Sequence, residues 1–235
     1  MNQLIKCQAY IRRYLTNKRS LFNIVATQNV AQGFHREVLG YHIINEEPIK
    51  EARWEEINRN FMSRYCRTNW GAFGSHRSGV DNIFQGHSVS NKTAKMTGNK
   101  IQVSSYRLTS KCSKASPGNI DDIVDEIERR DESFQYYSLL VRDEYMNQIH
   151  YMWYLIPRDY YIFNTRNHTW CPTIGRDKTQ TGWMSNHAKI VFSMSSQLWF
   201  SFDAQEIDPF LVSSVDVDLT LPRISYGDLY RMFDD

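Results

Sequence analysis

The 235 residues contain no stretch near the roughly 18 consecutive apolar residues that a membrane-spanning helix requires, so no membrane partner is expected. The N-terminus, MNQLIKCQAYIRRYLTNKRS, carries charges where a signal peptide needs its apolar centre. A cytoplasmic, reducing setting is the expectation. Cysteines are few, at positions 7, 66, 112 and 171, and no two form a Cys-x-x-Cys pair, which argues against zinc and leaves reduced, buried thiols as the default. Also missing are a Gly-x-x-x-x-Gly-Lys-Ser/Thr loop to cradle nucleotide phosphates and a Gly-x-Ser-x-Gly nucleophile elbow. There are no internal repeats and no low-complexity segments. What is present, 41% hydrophobic residues with 14% aromatic, suffices for a well-cored fold and excludes disorder and collagen. A single domain over 1–235 is the simplest organisation for this length.

The formal net charge of +2 averages over segregated blocks. No acid precedes Glu37, whereas Lys6, Arg12, Arg13, Lys18, Arg19 and Arg36 do. Between Phe61 and Lys114 nine Lys and Arg stand against one acid, Asp81. The compensating acids lie in Asp121–Glu132, which has seven, and after Phe202, where eight face only Arg223 and Arg231. Cations interleaved with Ser, Thr, Asn, His and Tyr suit a phosphate-contacting surface, because charge gives affinity and hydroxyls and amides give short hydrogen bonds. The alternative is a solvated basic face with no partner.

Gln3–Phe22 places Leu4, Ile11, Leu15 and Phe22 on one helical face with bases around the rest, so residues 1–27 read as a basic N-terminal helix. Its Cys7–Arg13 run resembles the start of an IQ motif, with Arg13 where Gly is usual, which offers a calmodulin-type partner only a weak hold. Gln28–Ile44 and Ile49–Cys66 read as helices separated at Glu46-Glu47-Pro48. Glycines and serines over 71–79 then introduce a meander of Val80–Phe84, His87–Ala94 and Lys100–Leu108. Asn119 is placed to cap a helix over Ile120–Arg130, whose Ile120, Ile123, Val124 and Ile127 form one apolar stripe. Tyr136–Val141 and Ile149–Ile156 are apolar runs suited to buried strands, and Lys189–Phe202 alternates on both sides of Ser195-Ser196 as a late hairpin would. The order α-α-α-β-β-β-α-β-β predicts an α/β or α+β fold in three layers.

Within the second basic block, a two-residue turn at Gln85-Gly86 gives cross-strand partners whose numbers sum to 171, which sets Asp81 opposite Ser90. Lys92, two residues on, shares the face of Ser90. A carboxylate, a hydroxyl and an ammonium then converge on one side of a hairpin. A surface salt bridge with a hydroxyl neighbour is the plain reading. Asp is disfavoured in strands, which gives reason to look for a task.

These residues, with the order of elements, resemble the PD-(D/E)XK nuclease superfamily, which includes the type II restriction endonucleases. Asp81 matches the family's first acid and Ser90-Asn91-Lys92 its acid-x-Lys, with Ser where Asp or Glu is usual. The resemblance implies a restriction-endonuclease-like three-layer α/β core over 28–160, with a central mixed sheet flanked by helices and a β-rich extension over 161–235. It further implies a Mg²⁺-dependent endodeoxyribonuclease that cuts double-stranded DNA, sequence-specifically, as a homodimer. In that scheme Asp81 and the Asn91 carbonyl ligate Mg²⁺, and Lys92 orients or helps to deprotonate the attacking water. The acid missing at Ser90 comes from elsewhere: first Glu37, on the helical Gly33–Leu39 element, then Glu55, Asp122 or Glu126. Arg77, Lys95, Gln102, Ser104 and Arg107 are the candidate DNA contacts, and the late hairpin or the loop Asn164–His187 the candidate base reader.

Two other classes stay open: a non-catalytic nucleic-acid-binding protein, and a protein-docking module built on the N-terminal helix. The sugar of the nucleic acid is not distinguished by these residues. His168 and Cys171 with His187 could imitate a metal cluster, but no carboxylate lies between His168 and Asp177 and the spacing fits no ligand motif.

Overall fold

The structure, a computed structural model, describes residues 21–65, 79–107, 116–194, 197–225 and 228. Among the described residues four α-helices follow in chain order: α1 (Leu21–Val25), α2 (Gln28–Ile44), α3 (Glu51–Met62) and α4 (Ile120–Asp131). Thr27 caps α2 through its side chain, which accepts from the Val30 N–H, and Asn119 caps α4 by accepting from Asp121 N–H. The second of these matches the sequence expectation. The expected basic helix over 1–27 lies almost wholly outside the described residues. Where Ile49–Cys66 was expected as helix, the helical part is α3, shorter at both ends.

Ten strands form one mixed sheet: β1 (Asn82–Phe84), β2 (His87–Thr97), β3 (Lys100–Arg107), β4 (Tyr136–Tyr145), β5 (Gln148–Pro157), β6 (Cys171–Ile174), β7 (Gln180–Met184), β8 (Ala188–Met194), β9 (Gln197–Asp203) and β10 (Leu211–Asp218). Their spatial order is β10-β5-β4-β2-β3-β9-β8-β7-β6, with β1 added to β2. Among the described strands only β2 and β4 run parallel; α4 lies in the crossover that returns the chain from β3 to β4 on the far side of β2. The expected late hairpin is present as β8 and β9. The residues after 161 lengthen the same sheet at both ends, β9 pairing with β3 and β10 with β5.

Both faces of the central strands are buried. On one face α1, α2 and α3 pack through Leu21, Phe34, Trp54 and Phe61 against Leu140, Tyr151, Trp153 and Leu155. On the other, Ile123 and Ile127 of α4 meet Leu139, Val141, Tyr154 and Ile156. The period-two alternation of β4 and β5 thus feeds two cores, which is why these strands read as continuous apolar runs. The fold is α/β with a large mixed sheet and helices on both faces. No described helix is long and apolar enough to cross a membrane.

The segment Asn164–His187 contains β6 and β7, where a loop was expected. Pro172 and Gly182 conceal these strands in the sequence. Gly182 is required by packing: a Cβ built on it would stand 1.9 Å from the Ile190 carbonyl oxygen on the neighbouring strand.

Candidate active site

The hairpin that carries Asp81 forms in the expected register. Phe84 pairs with His87, Ile83 with Ser88 and Asn82 with Val89, and the Asp81 N–H donates to the Val89 carbonyl at 2.9 Å. Gln85 and Gly86 take positive φ values of 52° and 84°, as a tight two-residue hairpin turn demands.

The edge of β2 that faces away from β4 is covered in two pieces. β1 occupies it up to Val89, and β3 resumes the ladder at Ala94. Asn91 lies in the gap between them. Its N–H finds the Asp81 carboxylate, with Oδ2 accepting at 2.5 Å, and the Ser90 hydroxyl approaches the same oxygen at 3.4 Å. An extended residue directs its N–H and C=O to one edge of the strand, so the Asn91 carbonyl faces the gap as well. Both described hydrogen bonds to Asp81 fall on Oδ2.

Burial dominates the titration of Asp81 and pushes its carboxyl up from the usual 3.8 to about 6. The Lys92 charge and the Asn91 N–H work in the opposite direction, while Glu55 and Glu51 raise the value further. Lys92, with a side chain only 18% exposed, donates from Nζ to Glu51 Oε1 at 3.0 Å. Burial alone would lower this ammonium, but the charges of Glu51 and Asp81 outweigh it and hold Lys92 above its ordinary range. Asp131, a buried residue at the end of α4 that accepts from the Tyr137 hydroxyl, adds to the same field.

From α3 the acids that act on this site are Glu51 and Glu55, one turn apart. Glu55 was the second choice from sequence; Glu51 was missed. Glu37, the first choice, is held by Arg64 at 2.6 Å and lies 3.8 Å from Arg36 Nε. Glu126 is committed to Arg129 and Arg130, which draw its carboxyl down to about 2, and Asp122 is exposed on the first turn of α4. The missed signal was the spacing of Glu51, Glu55 and Asn58 on one face of a helix.

The candidate DNA contacts fare differently. Lys95 is bound to Glu144 at 2.5 Å. Gln102 pairs across the sheet with Lys95 and Ser201. Arg77 and the side chains of Ser104 and Arg107 lie outside the described residues. Every cation of the second basic block with a described side chain, namely Arg64, Lys92, Lys95 and Lys100, has a carboxylate partner, supplied respectively by Glu37, Glu51, Glu144 and Asp203.

The donors gathered at the gap are carboxylate and carbonyl oxygens, the set a hard divalent cation prefers. Among the described residues no three His, Cys, Asp or Glu side chains stand close enough to enclose a metal by themselves. Mg²⁺ does not require such a cage, since it keeps several waters and is commonly held by one or two carboxylates together with substrate phosphate. Residues and ion are chemically compatible. Both ring nitrogens of His168 are engaged, Nε2 with the Tyr161 carbonyl at 2.8 Å and Nδ1 with the Ser185 hydroxyl at 2.9 Å. No family model, no curated protein and no solved structure matches the chain.

Proposed function

We propose that the protein is a Mg²⁺-dependent endonuclease that hydrolyses phosphodiester bonds of double-stranded DNA, acting as a homodimer. The observation that carries this reading is the convergence of Asp81, Lys92, Glu51 and Glu55 on the open edge of β2. Two carboxylates from α3 act on this edge, Glu51 on the Lys92 ammonium and both Glu51 and Glu55 on the Asp81 carboxyl, and are the candidates for the acid that Ser90 does not supply. The Asp81 carboxylate and the Asn91 carbonyl would hold the ion from the sheet, with Glu55 or Glu51 completing the set from the helix. When bound, Mg²⁺ supplies an activated water and offsets charge on the phosphate.

The chain's own groups have separable tasks. Asp81 must be ionised to serve as a ligand, and with its carboxyl at about 6 it is so above that pH. Lys92, held charged by Glu51 and Asp81, is a poor base at neutral pH; its ammonium orients the attacking water and stabilises charge developing on the phosphate. Ser90 supports Asp81 by hydrogen bonding in place of the usual acid.

The test is cleavage of supercoiled plasmid by the full chain with and without Mg²⁺, beside Asp81→Ala, Lys92→Ala and Glu55→Gln. The expected result is Mg²⁺-dependent cutting that Asp81→Ala and Lys92→Ala each reduce by about a hundredfold or more and Glu55→Gln by about tenfold to a hundredfold. A wild-type protein that binds plasmid without cutting it would favour the non-catalytic nucleic-acid-binding alternative. Sedimentation of the free protein decides the homodimer.

A further inference from the structure

Directly beneath the gap, the aromatic core of Phe34, Trp54, Phe61 and Trp153 contains a polar knot. Asn58, Asn91 and Ser138 are each 0% exposed. Asn58 Nδ2 donates to Asn91 Oδ1 at 2.6 Å and to Ser138 Oγ at 2.9 Å. Trp153 Nε1 donates to the same Ser138 hydroxyl at 2.9 Å, and Trp54 Nε1 to the Ser138 carbonyl at 3.1 Å. Asn91 and Ser138 are partners in the parallel β2–β4 ladder, so Asn58 ties α3 to the two central strands at once.

Burying amides in such a core is costly, the more so because Asn58 Oδ1 and Asn91 Nδ2 have no partner among the described residues, and what the bonds that are made give in return is a preferred arrangement of helix on strands. Sliding α3 by one turn would bring Trp54 or Met62 to the place of Asn58 and strand the Asn91 and Ser138 side chains. Glu51 and Glu55 precede Asn58 by two turns and one turn on the same helical face. On the strand side, Asn91 takes Asn58 with its side chain, gives its N–H to Asp81, and is followed immediately by Lys92.

We propose that Asn58 is a positioning residue of this site: its bond to Asn91 fixes the register of α3 against β2, and so places Glu51 on the Lys92 ammonium and Glu55 within electrostatic reach of Asp81. The consequence for catalysis rests on the nuclease reading; the geometric role can be read without it.

The experiment follows Lys92 by NMR in protein carrying carbon-13 lysine, with Glu51→Gln supplying the unpaired reference. Asn58→Leu combined with Asn91→Leu exchanges the amide pair for an apolar pair, so that these two positions leave each other no stranded polar group. The expected result is a cooperatively folded double variant in which the Lys92 resonance moves at least halfway to its Glu51→Gln position. In parallel, the Mg²⁺ concentration for half-maximal cleavage rises by about tenfold. A folded double variant with an unmoved Lys92 resonance overturns the proposal, because the helix would then keep its register without the knot. If the double variant does not fold, Asn58→Ser, which truncates the donor with less apolar mismatch, is read by the same resonance with the same two outcomes. Failure of the wild-type protein to cut DNA would defeat the nuclease reading and leave the Lys92 resonance to decide the role of Asn58.

Discussion

Asp81→Asn should make the protein more stable at neutral and alkaline pH while abolishing the proposed cleavage. The carboxyl of Asp81 titrates near 6 in the folded chain against the ordinary 3.8, a rise of about two pH units caused chiefly by burial. The unfolded chain therefore gives up this proton near pH 4 and the folded chain near pH 6. Between those values the folded state holds the extra proton, so stability falls as pH rises through the window, and the penalty is complete above it. At about 1.4 kcal/mol per unit the full penalty is about 3 kcal/mol, an upper figure for a group that keeps some contact with solvent. Asparagine removes the charge and retains an oxygen for the Asn91 N–H, and the remaining acids still neutralise Lys92. Urea unfolding followed by tryptophan fluorescence, run from about pH 4 to about pH 8, should give curves that coincide at the acid end and diverge by about 1–3 kcal/mol at the alkaline end. Parallel pH profiles for wild type and variant, or a variant that is less stable near pH 8, would refute the assignment of a buried, charge-strained carboxylate.

Glu55→Gln and Glu51→Gln should raise the Mg²⁺ requirement of cleavage or lower its rate by about tenfold to a hundredfold, whereas Glu37→Gln, which loses its surface pairs with Arg64 and Arg36, should leave cleavage unchanged and cost no more than about 1 kcal/mol in urea unfolding. Gln85→Asn, at a turn position with φ of 52°, should stabilise the β1–β2 hairpin by about 0.5 kcal/mol, read as a higher urea midpoint with unchanged slope. Gly182→Ala sets a methyl group against the Ile190 carbonyl and should cost about 3 kcal/mol or more, seen as a thermal midpoint lower by several degrees.

Local features were legible in the sequence, and long-range pairings were not. Asn119 announced α4 because a capping side chain and an apolar stripe are both encoded within a dozen residues. The Gln85-Gly86 turn fixed the register of Asp81 against Ser90 because a hairpin needs only its own turn chemistry. Nothing in the order of residues announces that Lys92 will meet Glu51, 41 positions away, since that contact depends on how α3 lies across the sheet. The same limit explains the charge blocks. Along the chain the basic segment from Phe61 to Lys114 has a single acid, yet folding brings Glu37, Glu144 and Asp203 onto Arg64, Lys95 and Lys100. The segregation belongs to the one-dimensional order and is undone in three dimensions wherever the side chains are described.

That cancellation changes what the candidate site can attract. Around the gap, Asp81, Glu51, Glu55 and Asp131 contribute four negative charges when ionised and Lys92 one positive, so above about pH 6 the local field repels a phosphodiester. The basic composition of the surrounding sequence does not offset this, because the described cations at Arg64, Lys95 and Lys100 are already neutralised by carboxylates. A divalent cation reverses the balance locally, and it does so where the oxygen donors converge. DNA engagement at this site and cation binding should therefore be one linked equilibrium: each raises the affinity of the other by the same factor. Binding of plasmid that is equally tight with Mg²⁺ and with a chelator would place the DNA on another surface of the molecule, whereas Mg²⁺-dependent affinity that Asp81→Asn abolishes would place it on the open edge of β2.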